Sequence, residues 1–208
     1  AIHAGKAALN AHYKRLGWNA CAQEGAVDGW YQTKFTLKEE PLVSILIPNK
    51  DHTDDLDVCL KSFFERADYQ NYEFIIIENN SVLPETFAYY EKIEKEHDNV
   101  KVVYWEAGFN YSAINNFGFK FAKGDYIMLL NNDVELITPD IFQSMLGFCM
   151  RPEVGIVGAK LLYNDHTVQH AGVLVGAGGL ADHVFKGIHE DDPGYMGRAI
   201  SYGQEISI

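Results

Sequence analysis

Between Leu42 and Asp133, short apolar runs alternate with stretches whose apolar residues recur at helical spacing, and few folds accept that order. The runs are 42–47, 72–77, 100–105 and 126–130. The stretches between them carry Leu56, Leu60, Phe63 and Phe64, then Phe87, Tyr90 and Ile93, then Ile114, Phe117 and Phe121. Strands separated by helices in this way predict an α/β fold, a mostly parallel central sheet flanked by helices and joined by right-handed crossovers. Pro48 is expected to end the first strand, Asp54 and Asp55 to cap the helix after it, and Pro84 to sit near the start of the next helix. The fourth run follows Gly124-Asp125 without an intervening polar residue, so it reads as a buried strand.

In such a sheet ligands gather outside the carboxyl ends of the strands. That rule places Pro48 to His52, Glu78 to Ser81, Asn110 and Asn131 to Asp133 along one rim, although they are far apart in sequence. Asn131-Asn132-Asp133 by itself reads equally well as a turn, because Asn and Asp are common turn formers. As a ligand set, its carboxylate and amide oxygens suit a hard divalent cation, magnesium or manganese rather than zinc, and such a cation neutralises a substrate diphosphate.

The chain has 208 residues, 47% of them hydrophobic, enough for one well-buried α/β domain with an appendage. With 17 basic and 29 acidic residues it carries a net charge of -12, the wrong sign for a nucleic-acid surface. An anionic nucleotide would then depend on local backbone N–H groups and a metal. Cys21, Cys59 and Cys149 are far apart and lack CxxC spacing, which fits a reducing cytoplasm. No apolar run approaches the roughly 18 residues of a membrane span.

Before the core, Lys6 to Leu16 reads as a short helix stopped by Gly17, and Val27 to Leu37, with Trp30, Tyr31 and Phe35, as an edge strand or extended arm. Pro41 marks the boundary, giving an appendage at 1–40 and a core domain at 41–208. After Asp133 the pattern predicts a helix from Pro139 through Leu146, strands at 155–163 and 168–175 around an Asn164-Asp165 turn, and loops at 176–179 and 190–194. The chain stops at Ile208 inside the alternation of 201–208, as an excised piece would.

The order of these motifs resembles the inverting glycosyltransferases of family 2, which have a nucleotide-sugar-binding, Rossmann-like A-type fold. The resemblance runs from about Pro41 to the end. Val43-Ser44-Ile45-Leu46-Ile47-Pro48 resembles the family's opening strand, and Ile77-Glu78-Asn79-Asn80-Ser81 its "V-D-x-x-S" signature. Asn116-Phe117-Gly118 resembles its "N-x-G" helix, and Gly124-Asp125-Tyr126 leading to Asn131-Asn132-Asp133 its strand into the metal-binding "D-x-D". Phe109 to Asn116, Val157 to Tyr163, Gln169-His170-Ala171-Gly172-Val173 and Asp192-Pro193-Gly194-Tyr195 bring it nearer to a bacterial subgroup acting on cell-surface polysaccharides, including rhamnan-type polymers.

Carried over by position, the resemblance implies that Pro48 and Lys50 lie against the nucleoside, with Glu78 in the nucleotide site. Asn79 contacts the base, and Asn110 falls where some members place a diphosphate-contacting Arg. Asp133 is the metal ligand for Mn2+ or Mg2+, with Asn132 on the nucleotide side and Asn131 replacing a carboxylate, which weakens metal affinity. The implied donor is a UDP- or dTDP-sugar and the implied acceptor a glycan or lipid-linked glycan. The implied place of work is the cytoplasm, at the inner membrane face for many members.

Other readings compete with this one. Gly176-Ala177-Gly178-Gly179-Leu180-Ala181 matches a dinucleotide fingerprint, but it should open a helix in the first βαβ unit and the stretch after it is too short. His166 and His170, four apart, lack the companion glutamate of a zinc helix and read as a turn and a strand histidine; His183, beside Asp182, reads as a loop residue or one facing the donor. Lys50-Asp51-His52 has no nucleophilic Ser or Cys near it in sequence, and a sugar-nucleotidyltransferase would want glycines in that loop. The alternative function is a non-catalytic nucleotide- or glycan-binding module. In the resembled family the acceptor-side base follows the position where this chain stops, so no general base is assigned. Residues 1–208 are accordingly expected to bind nucleotide and metal with little or no sugar transfer, and robust turnover in a transfer assay would contradict this.

Overall fold

The computed structural model describes residues 2–25, 27–201 and 203, and the chain divides into two compact units, 39–142 on one side and 1–38 with 143–208 on the other. The sequence alternation at 201–208 lies, apart from Ser201 and Gly203, outside the described residues. In the second of these units, helix α1 (Ile2–Leu16) ends at Gly17, whose φ of 70° provides the left-handed turn expected of a helix stop. Strands β1 (Ala20–Glu24) and β2 (Tyr31–Phe35) then form an antiparallel hairpin. Its core is aromatic. Trp18 lies 5.7 Å from Tyr13 and 6.0 Å from Phe35 between ring centroids, and the Arg151 guanidinium sits 4.2 Å from the Trp18 ring.

The unit at 39–142 carries the predicted alternation: β3 (Val43–Asn49), α2 (Thr53–Arg66), β4 (Tyr72–Glu78), α3 (Pro84–Glu96), β5 (Val100–Tyr104), α4 (Tyr111–Phe119) and β6 (Tyr126–Leu129). Its four strands are all parallel, in the order β5-β4-β3-β6. β3 and β4 are buried along almost their whole length because helices cover both faces. On one face Leu46, Ile75, Ile77 and Val103 pack with Ile114 of α4 and with Phe117. On the other, Phe63 of α2 lies 5.6 Å from Phe74 and 6.5 Å from Tyr72. Each such side chain is worth about 1.5–3 kcal/mol when removed from water.

Three expectations need correction. β3 runs through Pro48 rather than ending there. In a parallel ladder, successive residues direct their backbone groups to alternate neighbours: Leu46 accepts from Leu130 on the β6 side and Asn49 accepts from Asn79 on the β4 side. Pro48 therefore faces the β6 side, beyond the end of β6, where no N–H is required. Secondly, Asp54 and Asp55 lie in the first turn of α2 rather than at its cap, which is His52 with no side-chain cap bond. Lastly, β6 is not buried on both faces: Tyr126, Ile127 and Met128 are half-buried and Leu129 is 51% exposed, since β6 is an edge of this sheet among the described residues.

The start of β6 is fixed by a polar knot. Buried Ser44 donates to Glu73 Oε1 (2.7 Å), while the Gly124 N–H donates to Ser44 Oγ (2.9 Å) and the Lys123 N–H to Glu73 Oε1 (2.8 Å). A Cβ on Gly124 would lie 2.4 Å from the Leu42 carbonyl oxygen and 2.8 Å from the Ser44 nitrogen, both backbone atoms.

Helix α5 (Ile141–Cys149) follows, and the later strands are shorter than the sequence suggests. The run at 155–163 yields only β7 (Leu161–Leu162), and the run at 168–175 breaks at Gly172, φ 115°, into β8 (Val168–His170) and β9 (Val173–Val175). The glycine-rich segment is the turn of a hairpin between β9 and β10 (Ala181–His183), which does not open a helix as a dinucleotide fingerprint requires. Among the described residues no helix is long and apolar enough to cross a membrane.

Gly124→Ala is expected to lower the stability of the 39–142 unit by about 1–3 kcal/mol, the usual cost of forcing atoms into a packed site. Gly108→Ala, where an added Cβ meets nothing within 4 Å, should change little in the same urea titration.

Candidate functional site

All of the rim residues predicted from sequence fall in the 39–142 unit, at or just past the carboxyl ends of parallel strands. Asn49 and Glu78 are register partners at the ends of β3 and β4. Strand alternation puts Glu78 on the same face as Phe74, towards α2 and α3, and there Tyr90 of α3 meets both residues. Asn49 Nδ2 donates to the Tyr90 hydroxyl (2.8 Å), and that hydroxyl donates to Glu78 Oε2 (2.8 Å). Burial raises the Tyr90 hydroxyl pKa well above its ordinary value, so it keeps its proton.

Glu78 is 3% exposed and accepts again from the Ser81 hydroxyl (2.6 Å) and the Ser81 N–H. Its carboxylate is thus turned inward, holding the turn after β4 from behind. The Ser81 hydroxyl in turn accepts from the Asp51 N–H (2.8 Å), and Asp51 Oδ1 accepts from Val82 N (3.0 Å), Leu83 N (3.0 Å) and Thr86 Oγ1 (3.2 Å), which caps α3. Within Lys50-Asp51-His52, Asp51 is therefore committed to the turn that leads into α3, with exposed Lys50 beside it. Asp51 and Asn80 both have φ 59°, so the first two loops each hold a non-glycine residue in the left-handed region. Such residues persist where the surroundings fix them, often at functional sites.

Asn79 is 4% exposed and donates to the Ala107 carbonyl (3.2 Å), which Asn80 also reaches (2.9 Å). The loop after β5 is tied to the end of β4 in this way. At its far end, exposed Asn110 caps α4, its Oδ1 accepting from Ala113 N (3.0 Å).

The loop after β6 reaches the same network. Asn132 Nδ2 donates to Asn49 Oδ1 (2.7 Å), and beyond it Leu136 N donates to Ser62 Oγ (2.9 Å) while Arg66 pairs with Glu135 (2.8 Å). Asn131 and Asp133 are exposed. Beneath them lies Cys59, fully buried, whose thiol is pushed up to about 12 by burial and then by the nearby Asp133 carboxylate. A neutral thiol does not compete with Asp133 for a cation. His183 lies in β10 of the other unit, its Nδ1 2.8 Å from that of His170, and His166 pairs with Glu190 in a turn.

Among the described residues no three His, Cys, Asp or Glu side chains gather as a ready-made metal cage. The loop nonetheless offers hard donors: the Asp133 carboxylate, and an Asn132 amide whose nitrogen is engaged by Asn49 so that its carbonyl oxygen is left for another partner. Donors of that hardness would suit magnesium or manganese.

A model of glycosyl transferase family 2 matches residues 44–176, from the first strand of this sheet past the loop of Asp133. The chain belongs to that family. This family 2 domain is 40% identical over 185 residues to the O-antigen biosynthesis protein RfbC of Myxococcus xanthus, covering 89% of this chain and 14% of that protein. It is 39% identical over 184 residues to the uncharacterized protein y4gI of Sinorhizobium fredii, covering 88% of this chain and 20% of that one. The chain therefore spans a fifth or less of either relative's length. Among solved structures, the mannosyltransferase PcManGT from Pyrobaculum calidifontis in complex with GDP-Man and Mn2+ is similar in fold, with a TM-score of 0.52 at 14% identity over 74% of this chain and 42% of that one. The A-type glycosyltransferase fold, a parallel central sheet flanked by helices, is thus the fold of this domain.

Burial works to raise the Asp51 pKa, but the N–H groups of Leu83 and Val82, the Thr86 hydroxyl and Lys50 outweigh it and leave the carboxyl below its ordinary 3.8. A depressed carboxyl stabilises the fold fully above its ordinary pKa, and that contribution is lost as pH falls through the folded value. Wild type should therefore lose more Tm than Asp51→Asn between about pH 5 and pH 3. Thermal melts of the two proteins across that range check this.

Proposed function

We propose that the 39–142 unit is the donor site of a glycosyltransferase and binds a nucleoside-diphosphate sugar along the rim of its sheet. The observation that carries this reading is the bond between Asn132 and Asn49, which joins the loop of Asp133 to the carboxyl end of β3 within a family 2 domain. Lys50 and Pro48 would lie against the nucleoside, with Asn79 at the base. Asn110 and the N-terminal end of α4 would stand towards the diphosphate. Glu78 contributes from behind, by fixing Ser81 and Tyr90, rather than by touching the nucleotide.

Asp133, with the Asn132 carbonyl oxygen, would hold Mn2+ or Mg2+, and such an ion, when bound, offsets charge on the departing nucleoside diphosphate. A domain whose net charge is -12 needs that local help to hold an anion. Support for a metal and a nucleotide sugar comes from the mannosyltransferase of similar fold, a complex with GDP-Man and Mn2+. Support for a glycan acceptor comes from RfbC, an O-antigen biosynthesis protein. The reaction we infer is inverting transfer of a hexose-type sugar to a glycan or lipid-linked acceptor in cell-surface polysaccharide synthesis, in the cytoplasm at the inner membrane face. In it the acceptor hydroxyl, once deprotonated, attacks the anomeric carbon as the nucleoside diphosphate leaves.

Titrating UDP, dTDP and GDP calorimetrically with and without manganese tests the donor site. At least one should bind with manganese dependence, and Asp133→Ala should weaken that binding by about tenfold or more. Binding that ignores both manganese and Asp133 would instead favour a non-catalytic nucleotide- or glycan-binding module.

A further inference from the structure

Three hydrogen bonds run in one direction from the rim into the interior. Asn132 Nδ2 donates to Asn49 Oδ1 (2.7 Å), Asn49 Nδ2 to the Tyr90 hydroxyl (2.8 Å), and the Tyr90 hydroxyl to Glu78 Oε2 (2.8 Å). Asn49, Tyr90 and Glu78 are 2%, 1% and 3% exposed, so water does not supply substitutes. None of the three bonds can be reversed alone. Glu78 also accepts from Ser81 and takes the one proton Tyr90 has, which leaves the hydroxyl only a lone pair for Asn49. Asn49 must then turn its amide nitrogen to Tyr90, where it also reaches the Asp51 carbonyl (3.3 Å), and its oxygen to Asn132. Asn132 must spend its nitrogen on Asn49 and keep its carbonyl oxygen, the one hard donor of its side chain, for a cation.

We propose that Asn49 and Tyr90 are positioning residues, which through this buried chain to Glu78 hold the Asn131–Asp133 loop with its oxygens presented to the metal and diphosphate. The proposal rests on the donor-site reading above. Neither residue touches the nucleotide. β6 ends at Leu129 while β3 runs to Asn49, so the ladder no longer fixes the loop, and the side-chain chain takes over from it. Removing the Tyr90 hydroxyl takes away the shorter of the two bonds that orient the Asn49 amide and leaves only the 3.3 Å bond to the Asp51 carbonyl to hold its nitrogen away from Asn132.

The test uses Tyr90→Phe and Asn49→Ser in the full chain. Asn49→Ser leaves the bond from Tyr90 to Glu78 in place, so it carries the test should Tyr90→Phe fail to fold. Hydrogen exchange without metal or nucleotide should quicken by about fivefold or more at Leu130 and Val134, the hydrogen-bonded amides on either side of 131–133, with α4 and β5 unchanged. Calorimetry should show manganese-supported affinity for the nucleotide that wild type binds falling by about tenfold, with manganese-free affinity unchanged. Because both changes cut one chain, the double variant should be no worse than the more affected single variant, whereas independent destabilisation would multiply the losses. Exchange at Leu130 and Val134 within about twofold of wild type would overturn the proposal, as would losses that multiply. A wild-type chain with no manganese-dependent nucleotide binding would sink the donor-site reading instead, while the exchange result would still decide whether the chain orders the loop.

Discussion

The hydrogen bond from Asn132 to Asn49 is the constraint on which the rest of this rim depends. Backbone pairing between β3 and β6 is registered only from Val43 to Leu46 on the β3 side, and the last backbone bond there runs from Leu130 to Leu46. Past that point the strands part. A loop that leaves an edge strand would ordinarily be free to move, yet this one is held at Asn132 and again at Leu136, by Ser62 and Arg66 on α2. Asp133 sits between those two attachments, and so an exposed carboxylate occupies a defined place.

Burying Glu78 is costly unless its charge is met by hydrogen bonds, and Tyr90 and Ser81 supply them. Asp51 does the same service at the start of α3, where it meets two backbone N–H groups and a hydroxyl. The two acids are linked through Ser81, which donates to Glu78 and accepts from Asp51. The loops after β3 and β4 thereby form one hydrogen-bonded body, and their two left-handed residues, Asp51 and Asn80, are held within it.

The order of strands and helices was legible because β-branched runs and helical periodicity carry it, and the convergence of polar clusters followed from the parallel sheet alone. The roles within the cluster were less legible. Tyr90 sits at helical spacing with Phe87 and Ile93 and so looks like ordinary core; its hydroxyl acquires a role only when Asn49 and Glu78 stand opposite each other in register. For Glu78, two-residue alternation puts it on the face of Phe74, but both faces of the sheet are covered by helices, and only the structure shows that this face brings it to Tyr90. β6 was read as buried from its unbroken apolar run, but apolar sequence reports what a strand would tolerate, not whether a neighbour is there to cover it. The partner strand in the N-terminal hairpin, Ala20–Glu24, escaped because Gln23 and Glu24 interrupt any alternation.

Pro48 has a consequence for hydration. Strand alternation directs its backbone nitrogen towards the gap beyond the end of β6, where another residue would present a donor that solvent must satisfy. Proline presents none. A ligand that settles there meets no backbone N–H at residue 48, and only the Pro48 carbonyl, which faces the same gap, still needs a partner.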